Sequence, residues 1–225
     1  MKWSIECLYC GNALYRLADK RVKCSVCHKK LSMEKINRIM TFIYAFVHNE
    51  SANELAKRSS YSYVSVQKYY KEFRVLIGTI CEREYELCRA GACEYEEYFY
   101  LEKAKRSKKN AIYDAHNFLT FDYSNHIYTL LMPSLHKYKE QFIEDSLDDV
   151  YLSEFNKFKR DSRIIKISSH HNNIVKFWEY FEAQILHYKG VSRKSFIYYL
   201  KEYEFKYNHT KSEAMDLLIQ NYFKL

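Results

Sequence analysis

The stretch His170–Tyr188, HHNNIVKFWEYFEAQILHY, carries two periodicities at once. Ile174, Phe177, Trp178, Phe181 and Ile185 recur at i, i+3, i+4, i+7 and i+11, the spacing of a single buried helical stripe. Beside it, Val175, Glu179 and Glu182 fall on a second row at i, i+4 and i+7. Periodicity alone therefore predicts a core helix with two carboxylates at the edge of its apolar face.

Upstream of this helix the texture is strand-like. After Gly91, the run Ala92–Tyr100 is rich in strand formers and alternates imperfectly. A basic loop, Lys103–Lys109, leads to strands expected near 111–118 and 126–132, with a turn over Asp122–Asn125. Pro133, the chain's single proline, ends the third strand and opens a helix through Tyr138. A short strand over Gln141–Glu144 running into Asp145, a helix near 150–158 and a strand over 163–168 complete the approach to His170. Three strands as a meander, then helix, strand, helix, strand, helix, is the element order of an RNase H-like domain. The expected fold class is α+β, with a mixed sheet flanked by helices over residues 91–225.

The first ninety residues read differently. Cys7-Leu8-Tyr9-Cys10 and Cys24-Ser25-Val26-Cys27 form two C-x-x-C knuckles whose four thiolates can meet at one tetrahedral ion. We expect a zinc ribbon over residues 1–33, with Val22-Lys23 as a strand entering the second knuckle and iron as the alternative metal. A closed four-thiolate site leaves no open position, which assigns the metal to folding rather than chemistry. Helical spacing follows over Ile36–His48, then a capping box, Ser51-Ala52-Asn53-Glu54, opens a short helix through Arg58. After a turn over Ser59–Ser62, Tyr63 begins a third helix with the stripe Val66, Tyr69, Phe73, Leu76, Ile77 and Ile80, continuing as a connector to Arg89 that carries Cys81 and Cys88 as small buried residues. Three helices with a short middle one are the plan of a helix-turn-helix, expected over 34–90. Ser62, Tyr63, Ser65, Gln67, Lys68 and Lys71 of the third helix are the candidate groove or backbone contacts.

Charge sharpens this division. The chain has 225 residues and a net charge of +8; residues 1–75 contribute 14 − 6 = +8 and residues 76–225 contribute 22 − 22 = 0. A basic N-terminal third ahead of a neutral body points to a polyanionic partner, DNA above all. Lys20, Arg21, Lys23, Lys29 and Lys30 crowd the ribbon, where they offset the negative four-thiolate centre and face phosphates. No apolar window approaches a membrane span, and the first residues lack the apolar core of a secretory signal. Seven cysteines, four of them in metal-type pairs, suit a reducing cytoplasm better than a disulfide framework.

With these residues in place a resemblance can be stated. His170-His171-Asn172-Asn173-Ile174-Val175-Lys176-Phe177-Trp178 resembles the His-x-Asn-x-Ile-Glu-x-Phe-Trp signature of the zinc-ribbon insertion-sequence transposases, the ISXO-like group of DDE enzymes. Lys189–Lys194 and Tyr199–Asn208 are similar to that family's tail, and Glu94–Tyr100 to its Glu-Val-Asp-Glu-Thr-Tyr strand. The resemblance implies DNA transposition: Mg2+ or Mn2+ held by three carboxylates would activate the attacking and leaving oxygens of a phosphodiester. It implies transposon-end DNA as partner and at least a dimer when paired with DNA ends.

Aligned on the signature, the three carboxylate positions are Glu96, Asp145 (with Asp148 or Asp149 as alternatives) and Val175, and a family lysine falls on Glu182. Valine cannot ligate a metal. Glu179 and Glu182 share its row but lie about 6 and 10 Å further along the helix, whereas two-metal sites hold their ions about 3.5–4 Å apart. The expected function is thus a transposase-like DNA-binding protein with impaired catalysis. The alternatives are an active enzyme with Glu179 or Glu182 as third ligand, and a zinc-ribbon DNA-binding regulator.

Overall fold

The structure, a computed structural model, describes residues 6–19, 21–91, 93–100, 116–133, 173–188, 191 and 193–224. These residues form a mixed α+β chain with two antiparallel three-stranded sheets and six helices. They divide into two compact units, residues 1–80 with 209–225, and residues 81–208. The basic loop, the start of the second expected strand before residue 116, and every element expected between residues 134 and 172 lie outside the described residues.

In the first unit, strands β1 (Leu14–Arg16), β2 (Arg21–Cys24) and β3 (Lys30–Ser32) pair in sequence order. Helix α1 (Met33–Val47) starts directly from β3, where the Ser32 hydroxyl accepts from the Lys35 N–H. It stops where Asn49 takes the left-handed conformation, φ 59°. Helix α2 (Ala52–Arg58) carries the capping box the sequence predicts: the Glu54 N–H donates to Ser51 Oγ at 3.2 Å, and the Ser51 N–H to Glu54 Oε2 at 2.8 Å. Ser51→Ala removes half of this reciprocal pair and is expected to cost about 1 kcal/mol, read as a lowered urea midpoint at unchanged slope.

Helix α3 spans Tyr63–Cys88. Val66, Phe73, Leu76, Ile77 and Ile80 are buried as its stripe requires, but the buried tyrosine is Tyr70, with Tyr69 only half-buried. Tyr70 packs edge-on against Phe46, centroids 5.0 Å apart, and its hydroxyl donates to the Glu50 carbonyl at 3.1 Å. The hydroxyl thus finds a backbone acceptor, which allows Tyr70 to enter a core otherwise made of Phe42, Phe46, Leu55 and Phe73. Cys81 is buried as expected; Cys88 is half-buried, a correction that follows from its place in the last turn of the helix.

The last helix, α6 (Lys211–Lys224 in sequence order), belongs to this same unit and packs on α1. The sequence alone assigns residues 209–225 to the body beginning at residue 91, whereas they group with the N-terminal helices. Thr210 and Glu213 close a second capping box at its start, the Thr210 N–H donating to Glu213 Oε2 at 2.8 Å.

The second unit is organised by the meander β4 (Glu94–Tyr100), β5 (His116–Tyr123) and β6 (His126–Leu131), paired in that order. The turn narrows to Ser124-Asn125, both at positive φ (54° and 72°), so Asp122 belongs to the strand rather than to the turn. Two consecutive positive φ values make the two-residue turn whose twist matches a hairpin. Helix α4 (Asn173–Ile185) lays Ile174, Phe177, Trp178, Phe181 and Ile185 against the sheet, the stripe read from the sequence. Burying each such side chain is worth about 1.5–3 kcal/mol. Helix α5 (Arg193–Asn208) adds Phe196, Leu200 and Tyr203 to the same core.

Candidate metal centre, reading helix and carboxylate face

The two knuckles converge. Cys7 Sγ lies 3.6 Å from Cys27 Sγ and Cys10 Sγ 3.4 Å from Cys24 Sγ, with all four sulfurs within 4.8 Å of one another. Zinc–sulfur bonds of about 2.3 Å in a tetrahedron require sulfur separations close to these. The donor set therefore fits a single ion such as zinc. The chain turns tightly to achieve this: Gly11, at φ 73°, donates its N–H to the Cys7 carbonyl at 2.7 Å. On the other knuckle the Val26 and Cys27 N–H groups both point at Cys24 Sγ, 3.4 Å away, as needed to stabilise a thiolate. The side chain and then the backbone N–H of Asn12 hold the Cys10 thiol down to about 6, the direction that favours a metal-binding thiolate. His28, exposed at φ 58°, stands outside the cluster.

The basic residues around the ribbon are not equivalent. Arg21 is tied to Asp19, Nε to Oδ2 at 2.7 Å. The Lys29 ammonium sits 3.7 Å from the centre of the Tyr9 ring. Lys23 is half-buried on β2, and Lys30 is exposed. Lys20 lies outside the described residues.

The start of α3 is presented outward. Ser62 caps the helix, its Oγ accepting from the Ser65 N–H at 3.3 Å and lying 2.9 Å from Ser65 Oγ. Gln67 reaches back to the Tyr63 hydroxyl at 3.1 Å. Ser62, Tyr63, Ser65, Gln67, Lys68 and Lys71 are all exposed, while Val66 and Tyr70 between them hold the helix to its core. A short α2, a tight turn and an exposed first pair of turns on α3 thus follow one another in the first unit.

On the sheet of the second unit, Glu94, Glu96, Tyr98 and Tyr100 share the face that meets α4. Two contacts bracket Glu96. Asp122, opposite Glu94 in register, neighbours the Asn173 side chain; burial raises its carboxyl, and Asn173 opposes that shift. Tyr98 stacks on Trp178 at 4.0 Å and 12°, and its hydroxyl donates to Glu182. Tyr100 in turn packs edge-on against Phe181, centroids 5.7 Å apart. Glu96 and Glu182 are half-buried, Glu179 is exposed, and Asp145, Asp148 and Asp149 lie outside the described residues. Among the described residues only the four cysteines gather closely enough to share an ion, so Glu96, Glu179 and Glu182 do not form a three-carboxylate site by themselves.

One polar assembly was not singled out in the sequence. Lys201, Glu204 and Asn208, at i, i+3 and i+7 on α5, occupy the outer edge of β6. Asn208 accepts from the Ile127 N–H at 2.9 Å and donates to its carbonyl at 2.6 Å. Glu204 accepts from the Thr129 N–H at 2.8 Å and from its hydroxyl, and Lys201 Nζ donates to the Thr129 carbonyl at 2.7 Å and to Glu204 at 2.9 Å. Lys201 and Glu204 are 5% and 1% exposed, so the pair is removed from water. The spacing was the available signal, but polar residues at helical intervals read equally well as a solvated face.

No family model, curated protein or solved structure matches this chain. No helix among the described residues is long and apolar enough to cross a membrane.

Proposed function

We propose that the chain is a transposase-like DNA-binding protein of an insertion sequence, whose N-terminal unit engages the element's ends and whose carboxylate triad is incomplete. The observation that carries the DNA-binding half is the exposed start of α3, presented by the α1–α3 core in the same unit as the four-cysteine centre and the whole +8 charge excess. The second half rests on the signature at His170–Trp178, on the β4-β5-β6 meander, which agrees with the first three strands of an RNase H-like sheet, and on Val175 standing at the signature's glutamate position. Mg2+ or Mn2+ would supply Lewis-acid activation of the phosphodiester in a complete site; here Glu96 offers a carboxylate and Val175 offers none.

The full chain should bind duplexes carrying the element's terminal repeats, with affinity falling about 100- to 1,000-fold between 50 and 200 mM salt if about five phosphates are contacted. Lys71→Ala should reduce the slope of log affinity against log salt by about 1 without changing sequence preference. Fluorescence anisotropy reads both, and salt-independent or absent binding refutes the reading. Cleavage and joining should be absent with Mg2+ and Mn2+, and the combination Glu96→Asp, Val175→Glu and Glu182→Lys is the route to restoring them.

A second reading keeps the enzyme active through Glu179 or Glu182, which share the row of Val175 on α4, Glu182 being in contact with Tyr98 of β4. Strand transfer by the unmodified chain that Glu179→Gln or Glu182→Gln abolishes would establish it. A zinc-ribbon regulator without transposition chemistry predicts the same DNA binding at a promoter rather than at repeats flanking the gene.

A further inference from the structure

The first unit contains a groove of about 880 Å³ between the ribbon, α1, α3 and α6. Its apolar lining is Leu31, Ile36, Ile39, Val75, Leu76 and Phe223. Four lysines from three different elements stand at its rim, Lys30, Lys35, Lys68 and Lys71. The single carboxylate among the lining residues, Glu72, is engaged by the Tyr222 hydroxyl at 2.9 Å. An apolar lining with a rim of cations is complementary to one kind of molecule, an anion with a hydrocarbon body. We propose that this groove binds a long-chain carboxylic acid, its tail along the apolar lining and its carboxylate among the rim lysines.

The volume lies in the range of pockets that enclose small ligands, about 300–1,000 Å³. Beyond the lysines the lining offers few polar partners. Ser32 Oγ already accepts from the Lys35 N–H, and Thr79 is the other hydroxyl outside the tyrosines. A nucleobase would leave its edge unsatisfied against these aliphatic side chains, whereas an alkyl tail needs no polar partner there. Lys30, Lys68 and Lys71 also belong to the proposed DNA-contacting set, so carboxylate and DNA would compete for them. Ligand binding is measured without DNA, and therefore stands or falls separately from the DNA-binding reading.

The test is calorimetric titration of the full, metal-loaded chain with octanoate, decanoate and dodecanoate, each below its micellar concentration. One saturable site is expected, tightening about fourfold per methylene, the ratio that burying one methylene supplies. Lys35→Glu and Val75→Glu, both at exposed positions, should weaken dodecanoate at least tenfold with circular dichroism and metal content unchanged. Val64→Glu, 74% exposed and outside the groove, should bind as the original chain does. Dodecanol should bind at least tenfold more weakly than dodecanoate. No saturable binding, no dependence on chain length, equal affinity for the alcohol, or undiminished binding by Val75→Glu would each overturn the proposal.

Discussion

Chelation of the metal at pH 7 unfolds the ribbon while leaving the helices of the first unit folded. The three ribbon strands contain 3, 4 and 3 residues, and apart from Cys7 and Cys24 the buried side chains there are Val22 and Leu31. So small an apolar core cannot offset the conformational entropy of ordering these residues, about 1–2 kcal/mol each for the backbone alone. Metal ligation supplies the difference, with an apparent binding free energy of about 10–16 kcal/mol in structural four-ligand zinc sites. Helices α1–α3 rest on Phe42, Phe46, Leu55 and Phe73, all buried and none of them in the ribbon. After chelation, limited proteolysis should cut within residues 6–32 and spare 33–80, and Cys24→Ser should reproduce the pattern. A ribbon that resists protease after its metal is removed would refute this account.

The second large effect belongs to Glu204. Glu204→Leu leaves the Lys201 ammonium in a 5%-exposed position and strips the Thr129 N–H and hydroxyl of their acceptor. Breaking a buried ion pair from one side costs about 3–5 kcal/mol, because the remaining charge has neither water nor partner. Lys201→Met should cost a comparable amount by leaving the Glu204 carboxylate behind. The double variant should lose much less than the sum, yet not return to the original stability. Its Thr129 N–H and C=O remain without partners, and each orphaned group costs about 1–3 kcal/mol. Urea unfolding of the four chains forms a double-mutant cycle. A Glu204→Leu loss under 1 kcal/mol, or strictly additive losses, would show that the pair is not coupled as described.

What could be read in the sequence was what repeats locally. The α4 stripe, the Ser51–Glu54 box and the cysteine knuckles each depend on residues a few positions apart, and each is found where its spacing placed it. Tyr70 replaced Tyr69 because a hydroxyl that finds the Glu50 carbonyl can be buried, and periodicity does not see that acceptor. Asp122 moved from turn to strand because two positive φ residues suffice to reverse the chain. The pairing of α6 with α1 joins residues more than 160 positions apart, beyond any local pattern. Its start was nonetheless announced by Thr210 and Glu213, the same box that marks α2. The groove was not legible because its apolar lining and rim come from four separate elements. Tyr98, the contact that sets β4 against α4, was not legible, because its partners Trp178 and Glu182 lie some eighty positions away.

The seal on β6 has a consequence for assembly. An outer strand normally offers a ladder of free amides and carbonyls to which a neighbouring chain can add. At Ile127 and Thr129 those groups are already taken by Asn208, Glu204 and Lys201. A second molecule cannot extend the sheet from Ile127 and Thr129 without expelling three side chains, two of them a buried ion pair. Strand-templated self-association is thereby closed off at Ile127 and Thr129.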